Sequence, residues 1–128
     1  NKKWIKQIEK SKKLTEEYEP RLNLIIAASY GGKWDIINAV KKFYSDKKNE
    51  KLTENSLEEY LETKRFPNPD LIIRSGGEQR LSNFYLWQSS YSELYFSEKL
   101  WPDFNTKDFD IALKDFSSRK RKFGVKTG

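Results

Sequence analysis

The 128-residue chain contains no cysteine, no histidine and no methionine. Without cysteine there is no disulfide, no thiolate nucleophile and no sulfur-ligated metal. Without histidine there is no imidazole base and no Ser-His triad. The chemistry left belongs to carboxylates, lysine and arginine, hydroxyls, or an oxygen-bound cation such as Mg²⁺. Long apolar runs are missing too. The longest, Leu24 to Ala28, is far short of the roughly 20 residues of a membrane span, and the lysine-rich start leads into no apolar signal segment. A soluble, cytoplasmic protein is the expectation. The chain starts at Asn1 without methionine and is expected to be a piece of a longer one.

Hydrophobic residues make up 36% of the chain and charged residues 34%, so the core must be lean; aromatics at 15% help, because each buries a large area. The length suits a single domain, 1–128. The net charge of +6 sits at the ends: residues 1–13 carry +5, residues 119–128 carry +5, and the body between carries −4. An acidic body with basic termini and no basic recognition helix argues against a nucleic-acid-binding module. Solvated ends, or weak attraction to RNA or anionic lipid, are the readings left for the termini.

Residues 2–14 have Trp4 and Ile8 on one side and lysines elsewhere, which predicts an amphipathic helix. RLNLIIAAS (21–29) predicts a strand buried on both faces of a parallel sheet. Tyr30-Gly31-Gly32 makes a turn into a helix carrying Ile36, Ile37, Val40, Phe43 and Tyr44 on one face. A second helix is expected at 53–64, with a Ser56–Glu59 capping box and a Leu57/Tyr60/Leu61 stripe. Strands follow at 70–74 and 93–96, with a helix at 82–89 between them. Thr106 is expected to cap a last helix that points Phe109, Ala112, Leu113 and Phe116 inward and ends at Gly124. Helices between consecutive strands define an α/β fold: a mostly parallel sheet with flanking helices and right-handed crossovers. Ligands of such sheets bind beyond the carboxyl ends of the strands. Gly31-Gly32, Arg74 and Gly76-Gly77 are expected at such ends, and Glu93 beside them.

Arg74, Gly76, Gly77, Arg80 and Ser82 form a cluster suited to an anion. Glycines let backbone N–H groups approach closely, and arginine presents a planar fork of donors. A serine hydroxyl and a helix N-terminus near Ser82 would add more. The set suits a diphosphate. Equally compatible is a tight turn with two surface arginines, one bridging to Glu78. Glu93, opening a strand, could hold Mg²⁺ against the same diphosphate or be an ordinary strand-end acid. Trp87 and Trp101 read as core or interface residues. Asp35 reads as a cap for the helix it opens, or as a group near the substrate.

The stretches LNLIIAASYGGKWDI (22–36), PDLIIRSGGEQRLSNFYLWQSSYSELYF (69–96), WPDF (101–104) and the ending RKRKFG stand in the order and spacing of the cis-prenyltransferases, which the chain resembles from Leu22 onward. The likeness is greatest to the bacterial undecaprenyl pyrophosphate synthases. It implies condensation of isopentenyl diphosphate onto an allylic diphosphate such as farnesyl diphosphate, adding cis isoprene units with Mg²⁺. The product would be a polyprenyl diphosphate for the cell-wall lipid carrier. By motif position, Arg74, Arg80, Leu81 and Ser82 would hold the diphosphate of isopentenyl diphosphate, and Glu93 would be the Mg²⁺-associated glutamate.

Gln79 stands where many members have histidine, and KFG replaces the commoner RFG at a contact across a dimer interface. The family's DGNGRWA-type motif, with its catalytic aspartate and allylic-diphosphate cradle, does not occur in these residues. The chain therefore resembles the carboxyl-terminal half of such an enzyme, with no catalytic residue of its own. It is expected to be inactive alone, and to dimerise because half a sheet leaves an open edge. The resemblance also implies a homodimer in the cytoplasm, peripheral to the inner membrane, with transient membrane contact as product leaves. A non-catalytic partner subunit is the competing reading, against which the retained Arg74, Arg80, Ser82 and Glu93 argue.

Overall fold

The computed structural model describes residues 2–19 and 21–122. Helix α1 (Lys2–Glu16) opens the chain, followed by α2 (Gly32–Asp46) and the single turn α3 (Glu54–Glu58). Strands β1 (Leu71–Ser75) and β2 (Glu93–Ser97) come next, then a 3₁₀ turn at Trp101–Asp103 and α4 (Thr106–Ser118). β1 and β2 pair in parallel, Leu71 opposite Glu93 and Arg74 opposite Phe96, as the two strands of one sheet. The α/β class with a parallel sheet is therefore present in its smallest form.

The core lies between helices rather than on the sheet. Ala39 and Phe43 of α2 and Leu57 and Leu61 from the 54–66 segment are buried, with Ile36, Val40, Leu52, Tyr60 and Trp87 packed around them. Phe43 stands edge-on to Tyr44 and Tyr60 at 5.2 and 5.6 Å. The buried face of α2 is thus Gly32, Asp35, Ala39 and Phe43, while Ile37 and Tyr44, expected inward, are exposed. Both strands are half-buried along their length. α4 lies against β2 and buries Ala112, while Phe109 and Leu113, also expected inward, are exposed.

Three expected elements differ. The segment 21–29 forms no strand: Leu22, Leu24 and Ile26 are at least 80% exposed. A strand exists only as part of a hydrogen-bonded ladder, and among the described residues nothing pairs with this one. The second helix stops at Glu58 and runs on as i→i+3 turns to Phe66. The helix at 82–89 is replaced by turns, because Ser82, Asn83 and Tyr85 have φ of 47°, 65° and 46°. That left-handed backbone cannot propagate a right-handed helix. The parallel crossover from β1 to β2 is accordingly made without a helix.

The caps also shift. Thr53 and Ser56 form the capping box of α3 at 3.2 and 2.8 Å, in place of Ser56 and Glu59. Asn105, not Thr106, caps α4, with Asp108 returning a bond to the Asn105 N–H at 2.9 Å. The expected stop at Gly124 lies outside the described residues; α4 already ends at Ser118. No helix among the described residues is long and apolar enough to cross a membrane.

Asp108 ties α4 to the end of β2 through Lys99 at 2.7 Å. The Lys99 bond, and then the Asn105 N–H, hold its carboxyl below the usual 3.8. A lowered acid contributes stability above its unfolded value and loses it as pH falls through the folded one. Thermal melts between pH 5 and about pH 2 should decline more gently in Asp108→Asn than in the parent, and the two should differ most at the upper end of that range.

Candidate diphosphate site

β1 carries Arg74 to its carboxyl end, where Gly76 and Gly77 turn the chain at φ of 97° and 77°. Side chains other than glycine rarely adopt that backbone. The turn then folds back over the strand end. The Arg74 guanidinium donates from Nη1 to the main-chain oxygen of Arg80 and, at 2.9 Å, to Ser82 Oγ. Arg74, Arg80 and Ser82 are thus gathered at one place, with Leu81 half-buried among them. Arg80 is exposed and pairs with Glu78, as the tight-turn reading also expected.

Two kinds of donor expected of this loop are engaged elsewhere or absent. The N–H groups of Gly76 and Gly77 bond to the carbonyls of Lys99 and Ser97 at 2.7 and 2.9 Å. They extend the pairing of the two strands rather than forming an anion cradle. No helix begins at Ser82, so no helix N-terminus faces the site. The anion-binding capacity of the loop therefore rests on the guanidiniums of Arg74 and Arg80 and the Ser82 hydroxyl.

Beneath the loop is a polar knot. Asp35 is 1% exposed; its Oδ2 accepts from the Tyr30 hydroxyl at 2.9 Å and from Gln88 Nε2 at 3.1 Å. Its Oδ1 accepts from the Glu62 N–H at 2.9 Å, and Gln88 Nε2 also reaches Thr63 Oγ1 at 2.8 Å. Glu62's N–H thus goes to a side chain, in a segment that has already turned to i→i+3 pairing at Tyr60 and Leu61. Asp35 is therefore not a cap. Burial, and then the bond to Asp35, push the Tyr30 hydroxyl well up from its usual range. Burial, and then the Asp35 charge, raise Tyr85. Tyr30, Phe84 and Tyr85 pack together, the last two stacked at 4.5 Å. Tyr30 and Gln88 escaped the sequence reading; an acid on the buried side of α2 was the available signal.

Glu93 does not share this end of the sheet. It opens β2, and Arg74 lies opposite Phe96, three residues further on, about 10 Å along the strand. This corrects the expectation that Glu93 stands beside the arginines. Its Oε2 pairs with Arg119 Nη1 at 2.9 Å, and Arg119 also holds Asp115 at 2.6 Å. Arg121 pairs with the neighbouring Asp70 at 2.5 Å. The remainder of the RKRKFG ending, from Phe123, lies outside the described residues.

Among the described residues, no group of three or more Asp, Glu, His or Cys side chains could hold a metal ion. Glu93 is a single carboxylate paired with a guanidinium; a Mg²⁺ ion held there would draw its other oxygens from phosphate and water. A cleft of about 500 Å³ opens at this amino end, beside Pro69, Asp70, Trp87, Tyr91 and Arg121, and includes none of Arg74, Arg80 or Ser82. Trp87 is half-buried against the helical core and donates to Glu58 at 3.0 Å, while Trp101 is exposed and stacked on Phe104.

The chain has counterparts among known proteins. Residues 1–124 match the prenyltransferase family model described as "Putative undecaprenyl diphosphate synthase". A ditrans,polycis-undecaprenyl-diphosphate synthase of Coxiella burnetii, specific for (2E,6E)-farnesyl diphosphate, is 46% identical over 130 residues, covering 98% of this chain and 54% of that protein. An isoprenyl transferase of Thermotoga maritima is 51% identical over 126 residues, covering 96% and 52%. Among solved structures, the lavandulyl diphosphate synthase of Lavandula x intermedia, in complex with dimethylallyl diphosphate, superposes with a TM-score of 0.73 at 42% identity. That match covers 77% of this chain and 45% of the other. A probable undecaprenyl diphosphate synthase of Campylobacter jejuni gives 0.69 at 41% identity, covering 77% and 46%. The chain belongs to this prenyltransferase family, and it spans about half the length of the curated relatives it matches.

Truncating Asp35 strands Tyr30, Gln88 and the Glu62 N–H at once. Asp35→Ala should cost about 3 kcal/mol of stability, measured by urea unfolding. Tyr30→Phe, which removes one donor and leaves the others, should cost about 1 kcal/mol.

Proposed function

We propose that the whole protein carrying this chain is a cis-prenyltransferase that condenses isopentenyl diphosphate onto an allylic diphosphate such as farnesyl diphosphate, building undecaprenyl diphosphate. The observation that carries this reading is the Arg74–Ser82 contact of 2.9 Å beside Arg80 at the carboxyl end of β1. It joins the Arg74 guanidinium to the Ser82 hydroxyl and the Arg80 main chain, and so supports a diphosphate grip here, in a chain 51% identical to an isoprenyl transferase. Guanidinium forks match phosphate oxygens, and charge-assisted bonds are the strong ones.

The role of this half is to bind the incoming substrate. Arg74, Arg80 and Ser82, with Leu81 lining, hold the diphosphate of isopentenyl diphosphate while its double bond attacks the allylic carbon. Loss of the allylic diphosphate needs its own set of donors, which this reading assigns to residues outside the 128. The chain alone is therefore proposed to bind without turning over. Mg²⁺ is the cofactor that family membership supports for the whole protein, with Glu93 as one carboxylate toward it. The binding step described for Arg74 and Ser82 does not run through the metal. A cytoplasmic enzyme releasing product at the inner-membrane surface is the setting implied.

In the full-length protein, Arg74→Ala should raise KM for isopentenyl diphosphate on the order of tenfold to a hundredfold, leaving KM for farnesyl diphosphate within about twofold. Steady-state incorporation of labelled isopentenyl diphosphate measures both. An unchanged KM for isopentenyl diphosphate would remove the clamp from the proposal.

We also propose that the protein is a homodimer. Two half-buried strands and large exposed apolar side chains at Leu22, Leu24, Ile26 and Trp101 support an assembly that covers them. Light scattering at rising concentration should give twice the monomer mass, and a monomer throughout would count against it.

A further inference from the structure

Asn83 follows the clamp serine and takes two N–H groups of a helix far from it in sequence. Its main-chain oxygen accepts from the Gly32 N–H at 2.7 Å, and its Oδ1 accepts from the Lys33 N–H at 2.9 Å. These belong to the first turn of α2, whose N–H groups have no partner within the helix. Gly31, the residue in the capping position, has no side chain to supply one. The cap of α2 is therefore delivered from the clamp loop, fifty residues downstream.

The fit around this cap is close. A Cβ on Gly31 would lie 2.9 Å from Asn83 Nδ2, and one on Gly32 would lie 2.7 Å from Leu86 Cγ. The Gly31-Gly32 pair is thus the socket into which the 83–86 turn seats. Ser82 and Asn83 are both left-handed, at φ of 47° and 65°. Non-glycine residues keep that backbone only where their surroundings over-determine it. Asparagine tolerates it best and also carries a side-chain acceptor. On the other side, Ser82 Oγ is held by Arg74 at 2.9 Å.

We infer that Asn83 is a positioning residue for the diphosphate clamp. It bolts the 80–83 loop to the N-terminus of α2 and so fixes the left-handed Ser82 whose hydroxyl meets Arg74. The inference rests on the reading that Arg74 and Ser82 receive the diphosphate of isopentenyl diphosphate. It makes the Gly-Gly turn before α2 part of the substrate site through Asn83, with no contact to the substrate of its own.

Three substitutions in the full-length protein separate the contributions. Asn83→Ala removes the acceptor, Asn83→Asp keeps it, and Asn83→Gly keeps the left-handed backbone without the side chain. Equilibrium binding of isopentenyl diphosphate, and of inorganic pyrophosphate as the minimal probe, is measured alongside KM and kcat. Asn83→Ala and Asn83→Gly should weaken binding of both probes by about tenfold, with kcat within about twofold. Asn83→Asp should restore binding to within about twofold of the parent. In a Ser82→Ala background, adding Asn83→Ala should have little further effect, because the two act through one contact. Gly31→Ala, which crowds Asn83 without touching the loop's own sequence, should repeat the binding defect and serves if Asn83→Ala does not fold.

Parent-like binding in Asn83→Ala, or a defect in Asn83→Asp as large as that in Asn83→Ala, would overturn the positioning role while leaving the clamp itself standing. A parent protein that binds neither probe would instead overturn the clamp, and the positioning role with it.

Discussion

The buried carboxylate of Asp35 is the constraint around which the described part of the chain is organised. A carboxylate taken out of water is costly unless every lone pair finds a donor. Asp35 meets that demand with the Tyr30 hydroxyl, the Gln88 amide and the Glu62 N–H, drawn from three separate parts of the chain. Satisfying it ties the segments of Glu62 and Gln88 to α2. The loop carrying Ser82 and Asn83 is bonded to the same helix, and the apolar core of Ala39, Leu57 and Leu61 lies alongside.

From there the molecule divides along its strands. At the carboxyl end, Arg74, Arg80 and Ser82 gather over the Gly76-Gly77 turn. At the amino end, Asp70 and Glu93 are matched by Arg121 and Arg119. Parallel pairing places these two sets at opposite ends, because both strands run the same way and the register is direct. The cationic end holds carboxylates of its own: Glu78 pairs with Arg80, and Glu98 Oε2 lies over Gly77, 2.8 Å from where a Cβ there would stand. The acidic end is neutralised by guanidiniums from the tail of α4 and beyond.

Much of the local architecture was legible in residues alone. Apolar spacing in 32–46 and 106–118 marks two helices, and the LII and LYF runs mark two strands, because side-chain period follows directly from backbone geometry. Which face turned inward was less legible. Ile37 and Tyr44 fit the apolar stripe of α2, but Asp35 rotated the buried face toward itself. The segment 21–29 has the composition of a buried strand, yet composition does not supply a neighbour to pair with. Residues 82–89 were expected to be helical, and three left-handed residues overrule that; Asn83 and Tyr85 among them meet α2 and Tyr30, far away in sequence. The Thr53–Ser56 and Asn105–Asp108 caps were missed by a residue or a register because several polar neighbours competed for the same N–H groups.

The candidate site divides in the same way. Arg74, Arg80 and Ser82 could be grouped from their spacing around two glycines, and the same spacing fitted a tight turn with two surface arginines equally well. Family membership is written in the motif order. What only the tertiary structure decided is which donors are free. The glycine N–H groups are taken by Ser97 and Lys99, Glu93 lies at the far end of the sheet, and Asn83 spends its acceptors on α2. Local sequence dictates residue type and turn geometry. Hydrogen-bond ownership depends on groups brought near by folding, and there the chain's chemistry was settled.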